Sequence, residues 1–222
     1  MADQLAREIP FFQDSQNTNK PNLHYFPDWE TLPYDRFSAS EGIRSQRLKT
    51  LYDLKYQENT HCITSINAVL HYIAPVDILL KSTLLMHVGD KISLENFRLE
   101  LAKAGYRHVE QVIEHGEFAS RGALLDIFPM GAQTPFRIDF FDDEVDSIRR
   151  FDSETQRSID KVTQIQLLPA YEHPFDGAAK RLFRNQWRER FISGDLNRHL
   201  PYQDLSQGYL PAGIEYYLPL FF

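Results

Sequence analysis

The spacing of apolar residues divides the chain into helical and extended stretches. Over residues 41–54, Ile43, Arg47, Leu48, Leu51 and Leu54 recur at helical spacing and predict a helix. Residues 61–66 read as a short buried strand. A short helix is expected near 68–72 and another after Pro75, which suits the first turn of a helix. Near the N-terminus, Leu5 and Ile9 lie four apart, as on one face of a short helix that Pro10 is expected to stop. Residues 13–22, rich in Asn, Gln and Ser, read as a loop. Alternating helix and strand in this way points to an α/β layer.

The pattern changes near Thr83. Leu84, Leu85, Met86, His87 and Val88 are strand-like, and Gly89-Asp90 signals a turn. Ser93 is a good N-cap for a helix running to about Ala104. That helix carries Leu94, Phe97 and Leu101 on one face and has Gly105 at its C-terminal stop. A meander of strands is expected at 117–128, 135–141, 145–151 and 161–168, with turns at 130–133, 142–144 and 152–154. From Asp176 a helix resumes to about Phe191, with Ala179, Leu182, Phe183 and Phe191 near one face. The expected layout is an α+β module, 83–169, able to fold alone and inserted between two parts of an α/β domain, 1–82 and 170–222. Residues 214–222 are almost wholly apolar, are expected to hold a last strand without a partner, and need a cover from elsewhere in the fold or from further sequence. The chain is therefore expected to be a fragment of something longer.

Composition narrows the function classes. Of 222 residues, 42% are hydrophobic and 25% charged, which excludes wholesale disorder and collagen-like structure. A formal net charge of −7 does not suit a protein that wraps nucleic acid; such a contact would need a local basic patch. The single cysteine, Cys62, excludes a disulfide framework and a Cys-based zinc site within one chain, and in a buried strand its thiol is expected to be inert. No run of 18 apolar residues is present, and Asp3, Arg7 and Glu8 do not suit a signal peptide, so a cytoplasmic protein without a membrane partner is expected. The chain has no Gly-x-x-x-x-Gly-Lys-Ser/Thr and no Gly-x-Ser-x-Gly. Asp142, Asp143 and Glu144 follow a strand as magnesium-holding acids do, but without a phosphate loop they read as a hairpin turn. His108 and His115 are seven apart and match no metal-ligand spacing, so a surface role is expected. No catalytic residue, cofactor site or metal site is assigned, and the fragment is not expected to be an enzyme.

One strand singles out a surface. In 136–141, Phe136, Ile138 and Phe140 share a face that is plainly core, and Arg137, Asp139 and Phe141 share the other. An exposed Phe flanked by Arg and Asp has the composition of an interface hot spot. Arg121, just before Gly122, is positioned to lie on a neighbouring strand of the same sheet. The alternative is that Phe141 is capped by a helix or loop and both arginines are solvated. The residues alone leave both readings open.

At these positions the sequence resembles a known family. The matching blocks are Pro-Asp-Trp-Glu-Thr-Leu-Pro-Tyr-Asp at 27–35, Ala-Gly-Tyr-Arg-His-Val at 104–109 and Glu-His-Gly-Glu at 114–117. They continue with Arg-Gly-Ala-Leu-Leu-Asp-Ile-Phe-Pro-Met-Gly at 121–131, Arg-Ile-Asp-Phe-Phe-Asp-Asp-Glu at 137–144 and Leu-Pro-Ala-Gly-Ile-Glu-Tyr at 210–216. From about Phe26 to the end, the chain resembles the N-terminal UvrB-homology region of bacterial transcription-repair coupling factors. The resemblance implies a truncated, degenerate helicase-like (RecA-like) α/β domain without ATPase capacity. Inserted in it is an antiparallel-sheet α+β module that binds UvrA and recruits the excision machinery to a stalled RNA polymerase in transcription-coupled nucleotide excision repair. The family's UvrA-contacting positions match Arg121, Arg137 and Phe141. RNA polymerase and duplex DNA are engaged by other domains of the full-length protein, whose motor lies outside this chain. Two departures are visible. The family's segment before Met1 is absent, and so is the long aromatic hairpin with which UvrB grips DNA, since only 36–42 separate Tyr34-Asp35 from the next helix. The alternative, a UvrB-like or helicase-like nucleic-acid-binding fragment of a DNA repair ATPase, is disfavoured by the missing hairpin, the missing phosphate loop and the acidic balance.

Overall fold

Three sheets and the helices between them make up the computed structural model, which describes residues 2–12, 22–33, 35–191 and 200–222. The expected Asn/Gln-rich loop lies outside the described residues up to position 21. The first part of the chain runs α1 (Ala2–Phe12), β1 (Asn22–Phe26), α2 (Glu41–Tyr56), β2 (Thr60–Thr64), α3 (Ile66–Leu70) and α4 (Val76–Lys81). β1 and β2 pair in parallel, with Asn22 opposite Thr60 and Phe26 opposite Thr64, and α1 and α2 pack on this pair. α2 starts where Ser40 Oγ accepts from the Ile43 N–H at 3.3 Å, and it buries Leu48 and Leu51 as its periodicity predicts. Two expectations fail here. Pro10 does not end α1, which runs to Phe12; only the last turn lies beyond the proline, so one missing N–H does not break the helix. β2 is not buried, and His61 and Cys62 are exposed, because among the described residues β2 is paired with β1 alone.

The middle of the chain runs β3 (Leu84–His87), α5 (Leu94–Lys103), β4 (Arg107–His108), β5 (Glu117–Arg121), β6 (Leu124–Ile127), β7 (Phe136–Phe141), β8 (Glu144–Phe151), β9 (Ser158–Val162) and β10 (Gln164–Leu167). β4 to β9 form a six-stranded sheet in chain order, antiparallel except at β4–β5. β10 leaves it to pair antiparallel with β3. Two expected strands are thus each divided. Residues 117–128 fold back at Gly122, and 161–168 change sheets at Thr163, whose carbonyl accepts from the Val88 N–H at 3.0 Å. The inner face of the sheet places Leu125, Ile127, Ile138, Phe140, Val145 and Ile148 against Phe97 and Leu101 of α5. Phe26, Leu48 and Leu51 join the same cluster. The buried Tyr106 hydroxyl donates to Leu168 O at 2.6 Å and accepts from the Met130 N–H at 3.2 Å, and burial pushes its phenol well up.

The last part runs α6 (Gly177–Arg190), α7 (Leu200–Gln207) and a 3-10 helix, Ile214–Phe221. The apolar terminal segment is therefore not a strand. Its cover comes from the fold itself: Ile214, Leu220 and Phe221 cluster with Ala179, Phe183 and Trp187 of α6 and Tyr202 and Leu205 of α7. The buried face of α6 passes through Trp187, four residues after Phe183, and leaves Leu182 and Phe191 exposed, contrary to the expected face. The block at 210–216 docks on the block at 27–35. Tyr216 donates its hydroxyl to Thr31 O, and Ser38 Oγ accepts from the Gly213 N–H at 3.1 Å while donating to Glu215 at 3.1 Å. Burial pushes the Glu215 carboxyl above its ordinary range.

Gly213 has φ 75°, and a Cβ there would sit 2.5 Å from Asp35 O, a backbone atom that has no freedom to move aside. Gly213→Ala is expected to cost at least about 2 kcal/mol, read as a lowered melting temperature. His173 is buried and stacked on Phe221 at 4.6 Å and Tyr171 at 5.3 Å. Burial, with Arg44 adding to it, holds its pKa down to about 4. The unfolded chain takes up this proton near its ordinary value of about 6.5, so stability falls as pH drops from there to the folded value and is fully lost below it, a contribution of about 3 kcal/mol. His173→Phe keeps the stack and removes the proton. Between about pH 7 and about pH 4.5 the wild type should lose more melting temperature than the variant; parallel losses would contradict the assignment.

Candidate protein interface

Two hairpins shape the exposed end of the six-stranded sheet. β5 and β6 are joined by Gly122-Ala123, with φ 60° at Gly122, the conformation that a two-residue hairpin loop needs at its first position. β7 and β8 are joined by Asp142-Asp143, with φ 52° at Asp142, a residue type that tolerates the left-handed region. Asp142 and Asp143 thus form the hairpin turn expected at 142–144, while Glu144 is the first residue of β8. Because successive strands reverse direction, both turns lie at the same end of the sheet.

The register then lays out the face turned away from α5. One row holds Ala119, Asp126, Arg137 and Arg149, and the next holds Arg121, Leu124, Asp139 and Ser147. Phe141 pairs with Glu144 beside the turn. The shift between Asp139 and Phe140 places the extra residue, Asp146, on β8, so the alternation along β7 is unbroken. Arg121, Arg137 and Phe141 accordingly share this face, as expected. Arg121 is not on the strand next to β7 as expected: because 117–128 folds back at Gly122, β6 lies between β5 and β7, and along β7 Arg137 and Phe141 are about 13 Å apart.

Their surroundings differ. The half of the face nearest Arg137 is covered, because Val112, Ala119, Phe128 and Phe151 form a small buried cluster with Val109 packed against it. The loop that supplies Val109 and Val112 is pinned by Glu117, which accepts from the N–H groups of Ile113 at 2.9 Å and Glu114 at 2.8 Å and from Arg107 at 2.6 Å. Burial pushes this carboxyl up, but those three donors leave it below its ordinary range. Arg121 donates to Glu110 O of the same loop at 2.7 Å and is otherwise exposed.

Arg137 is neither solvated nor free. Its Nε and Nη2 donate to the two oxygens of Asp126 at 2.7 and 2.8 Å, and Nη1 donates to Gln156 O at 3.4 Å. The guanidinium lies 5.0 Å from the centre of the Phe151 ring. The Asp126 bonds push this already strong base further up. Asp139 accepts from Ser147 at 2.7 Å and from Arg149. Phe141, in contrast, is 75% exposed, and among the described residues neither helix nor loop caps it. The sequence reading missed Asp126 and Arg149. The signal for Asp126 was present, since alternation over Leu124–Ile127 puts Leu124 and Asp126 on one face, but its opposition to Arg137 depends on the length of the irregular connection 128–135.

The histidines contribute structure. His115 is half-buried rather than on the surface, with Nε2 2.8 Å from Ala132 O and its ring 4.0 Å from that of Phe128, and burial lowers its pKa. His108 is exposed, its ring 5.1 Å from that of Phe118. Among the described residues no cluster of three or more His, Cys, Asp or Glu could hold a metal ion, and no helix is long and apolar enough to cross a membrane.

Comparison with known proteins connects this face to a family. A family model described as the UvrB interaction domain matches residues 84–173, which include both hairpins. A transcription-repair-coupling factor of Escherichia coli is 49% identical over 218 residues, 98% of this chain and 18% of that protein. One from Haemophilus influenzae is 50% identical over 200 residues, covering 89% of this chain and 17% of that protein. A third, from Bacillus subtilis, is 35% identical over 147 residues, 66% of this chain and 12% of that protein. The chain spans less than a fifth of the length of these relatives. With the UvrB interaction domain in its middle and half its residues shared with two coupling factors over nearly its whole length, the chain belongs to the UvrB-homology region of the transcription-repair coupling factor family.

Proposed function

We propose that the exposed hairpin end of the six-stranded sheet docks UvrA, and that the chain is the part of a coupling factor that recruits the excision machinery in transcription-coupled nucleotide excision repair. The observation that carries this reading is Phe141. A phenylalanine 75% exposed at the end of a strand, two residues beyond the Asp139 that pairs with Arg149, contributes little to folding and offers apolar area to a partner. Arg121 and Arg137 frame it on the same face. The UvrB interaction domain match supports the same partner, since all three residues fall within 84–173. Within the same proposal, RNA polymerase, duplex DNA and ATP-driven movement belong to parts of the full-length protein outside this chain.

The domain reading, 1–82 and 170–222 around an inserted 83–169, is part of the same proposal. β3 and β10 lie at the two ends of the middle segment and pair with each other, as the entry and exit of an inserted module would. β1, α2 and β2 form a parallel strand–helix–strand unit, which supports a piece of a degenerate helicase-like domain.

Phe141→Ala is expected to weaken binding of purified UvrA by at least about thirtyfold. Its melting temperature should barely move, because an exposed side chain away from special features changes stability by less than about 0.5 kcal/mol. Arg137→Ala should also weaken docking, but it should lower the melting temperature as well, since it strips Asp126 of its partner and uncovers Phe151. Calorimetric titration with UvrA, alongside thermal melts, checks both. Wild-type affinity in Phe141→Ala would remove the reading.

A further inference from the structure

The ion pair under the docking face has a role of its own. An arginine offers five N–H donors. In Arg137 three nitrogens are engaged: Nε and Nη2 hold Asp126 edge-on at 2.7 and 2.8 Å, and Nη1 reaches Gln156 O at 3.4 Å. At most two N–H groups remain for a partner. The side-on Nε/Nη2 edge of Arg137 is therefore already taken. A partner carboxylate could claim that edge only by displacing Asp126, whose side chain is 15% exposed and whose ion pair is with Arg137. Leaving such a carboxylate without its cation is strongly unfavourable.

Resting on the docking reading above, we propose that Asp126 is a positioning residue for docking: its carboxylate fixes the Arg137 guanidinium over Phe151, and the Asp126–Arg137 pair meets the partner closed. The neighbouring strands show why a fixed position is needed. Arg137 stands directly opposite Arg149, a like-charge pair that on its own is unfavourable. The two are kept apart because each is drawn to a different acid, Arg137 to Asp126 on β6 and Arg149 to Asp139 on β7. Without Asp126, the nearest acid on the same face is Asp139, two residues along the same strand and about 7 Å away. Arg137 would then swing toward Asp139 and compete with Arg149, moving its charge toward Phe141 and away from the place a partner reads.

The test is a double-mutant cycle in binding of purified UvrA, with thermal melts of every variant. Asp126→Asn is expected to weaken binding about tenfold, in keeping with loss of one member of a partly buried charge pair. The double variant Asp126→Asn/Arg137→Ala should bind no more weakly than Arg137→Ala alone, because Asp126 acts through Arg137. Asp126→Glu separates positioning from mere charge balance. It keeps the charge, so its melting temperature should stay near wild type, but the extra methylene displaces the guanidinium by about 1.5 Å, and docking should remain weak. If Asp126→Asn does not fold, Asp126→Glu carries the test. Wild-type or tighter binding by Asp126→Asn or Asp126→Glu, with Arg137→Ala weakened, would overturn the proposal and make Asp126 a competitor of the partner. Additive losses would overturn it too, by showing that Asp126 meets the partner directly. Wild-type binding by Arg137→Ala and Phe141→Ala as well would remove the docking reading itself, and the proposal with it.

Discussion

A guanidinium with no solvent exposure holds the parts of this chain together. Arg47, on α2, is 0% exposed and lies between the rings of Phe26, 4.0 Å away, and Trp29, 3.6 Å away. It donates to Glu172 at 2.7 and 3.4 Å and to Pro27 O at 2.8 Å. A buried cation is tolerable only when fully paired, and removing one partner of such a pair is strongly destabilising. The requirement thus fixes three things at once: the face of α2 that points inward, the path of the chain leaving β1, and the point at which the chain returns after β10. Neighbouring turns of α2 extend the clamp. Arg44 stacks over Tyr171 at 4.7 Å, and Ser45 Oγ accepts from the Gly131 N–H at 2.8 Å.

The orientation of the candidate surface follows from that clamp. The six-stranded sheet is held through its inner face and through the loops at 130–131 and 171–172, so the turns at 122–123 and 142–143 and the part of the outer face beside them are left to solvent. Half of the outer face is sealed by the Val112, Ala119, Phe128 and Phe151 cluster. Asp126 with Arg137, against that cluster, and Asp139 with Arg149, beyond it, neutralise each other within the sheet. What faces outward is therefore a rigid platform with Phe141 at its rim. A surface already held in one arrangement loses little freedom on binding, which is where a small interface gains most.

How much of this was legible in the sequence depended on the range of the interaction. Period-two alternation in 136–141 was enough to put Ile138 and Phe140 inside and Phe141 outside, because each strand residue's face is set by its neighbours. Ser93 and Gly105 bounded α5 for equally local reasons. The Asp126–Arg137 pair was hidden, because it depends on the register between two strands joined by an irregular connection. The division of 161–168 between two sheets was hidden too, since what decides it is the distant partner β3. Arg47 sat on the helical face that periodicity marked as apolar, yet nothing local showed that a charge there would be buried; its acid lies 125 residues away. The exposure of Cys62 was misjudged for the converse reason: an apolar-looking strand is buried only where neighbours cover it.

On the proposed function, UvrA meets the hairpin end of the sheet and leaves the Arg47 clamp untouched. Hydrogen–deuterium exchange of this chain with and without purified UvrA tests that most directly. Slowed exchange is expected only in the two turns and their flanking strand ends, 120–124 and 139–145, with no change around Arg47 and Glu172. Protection centred instead on the exposed apolar residues of α3, or on the clamp itself, would contradict it.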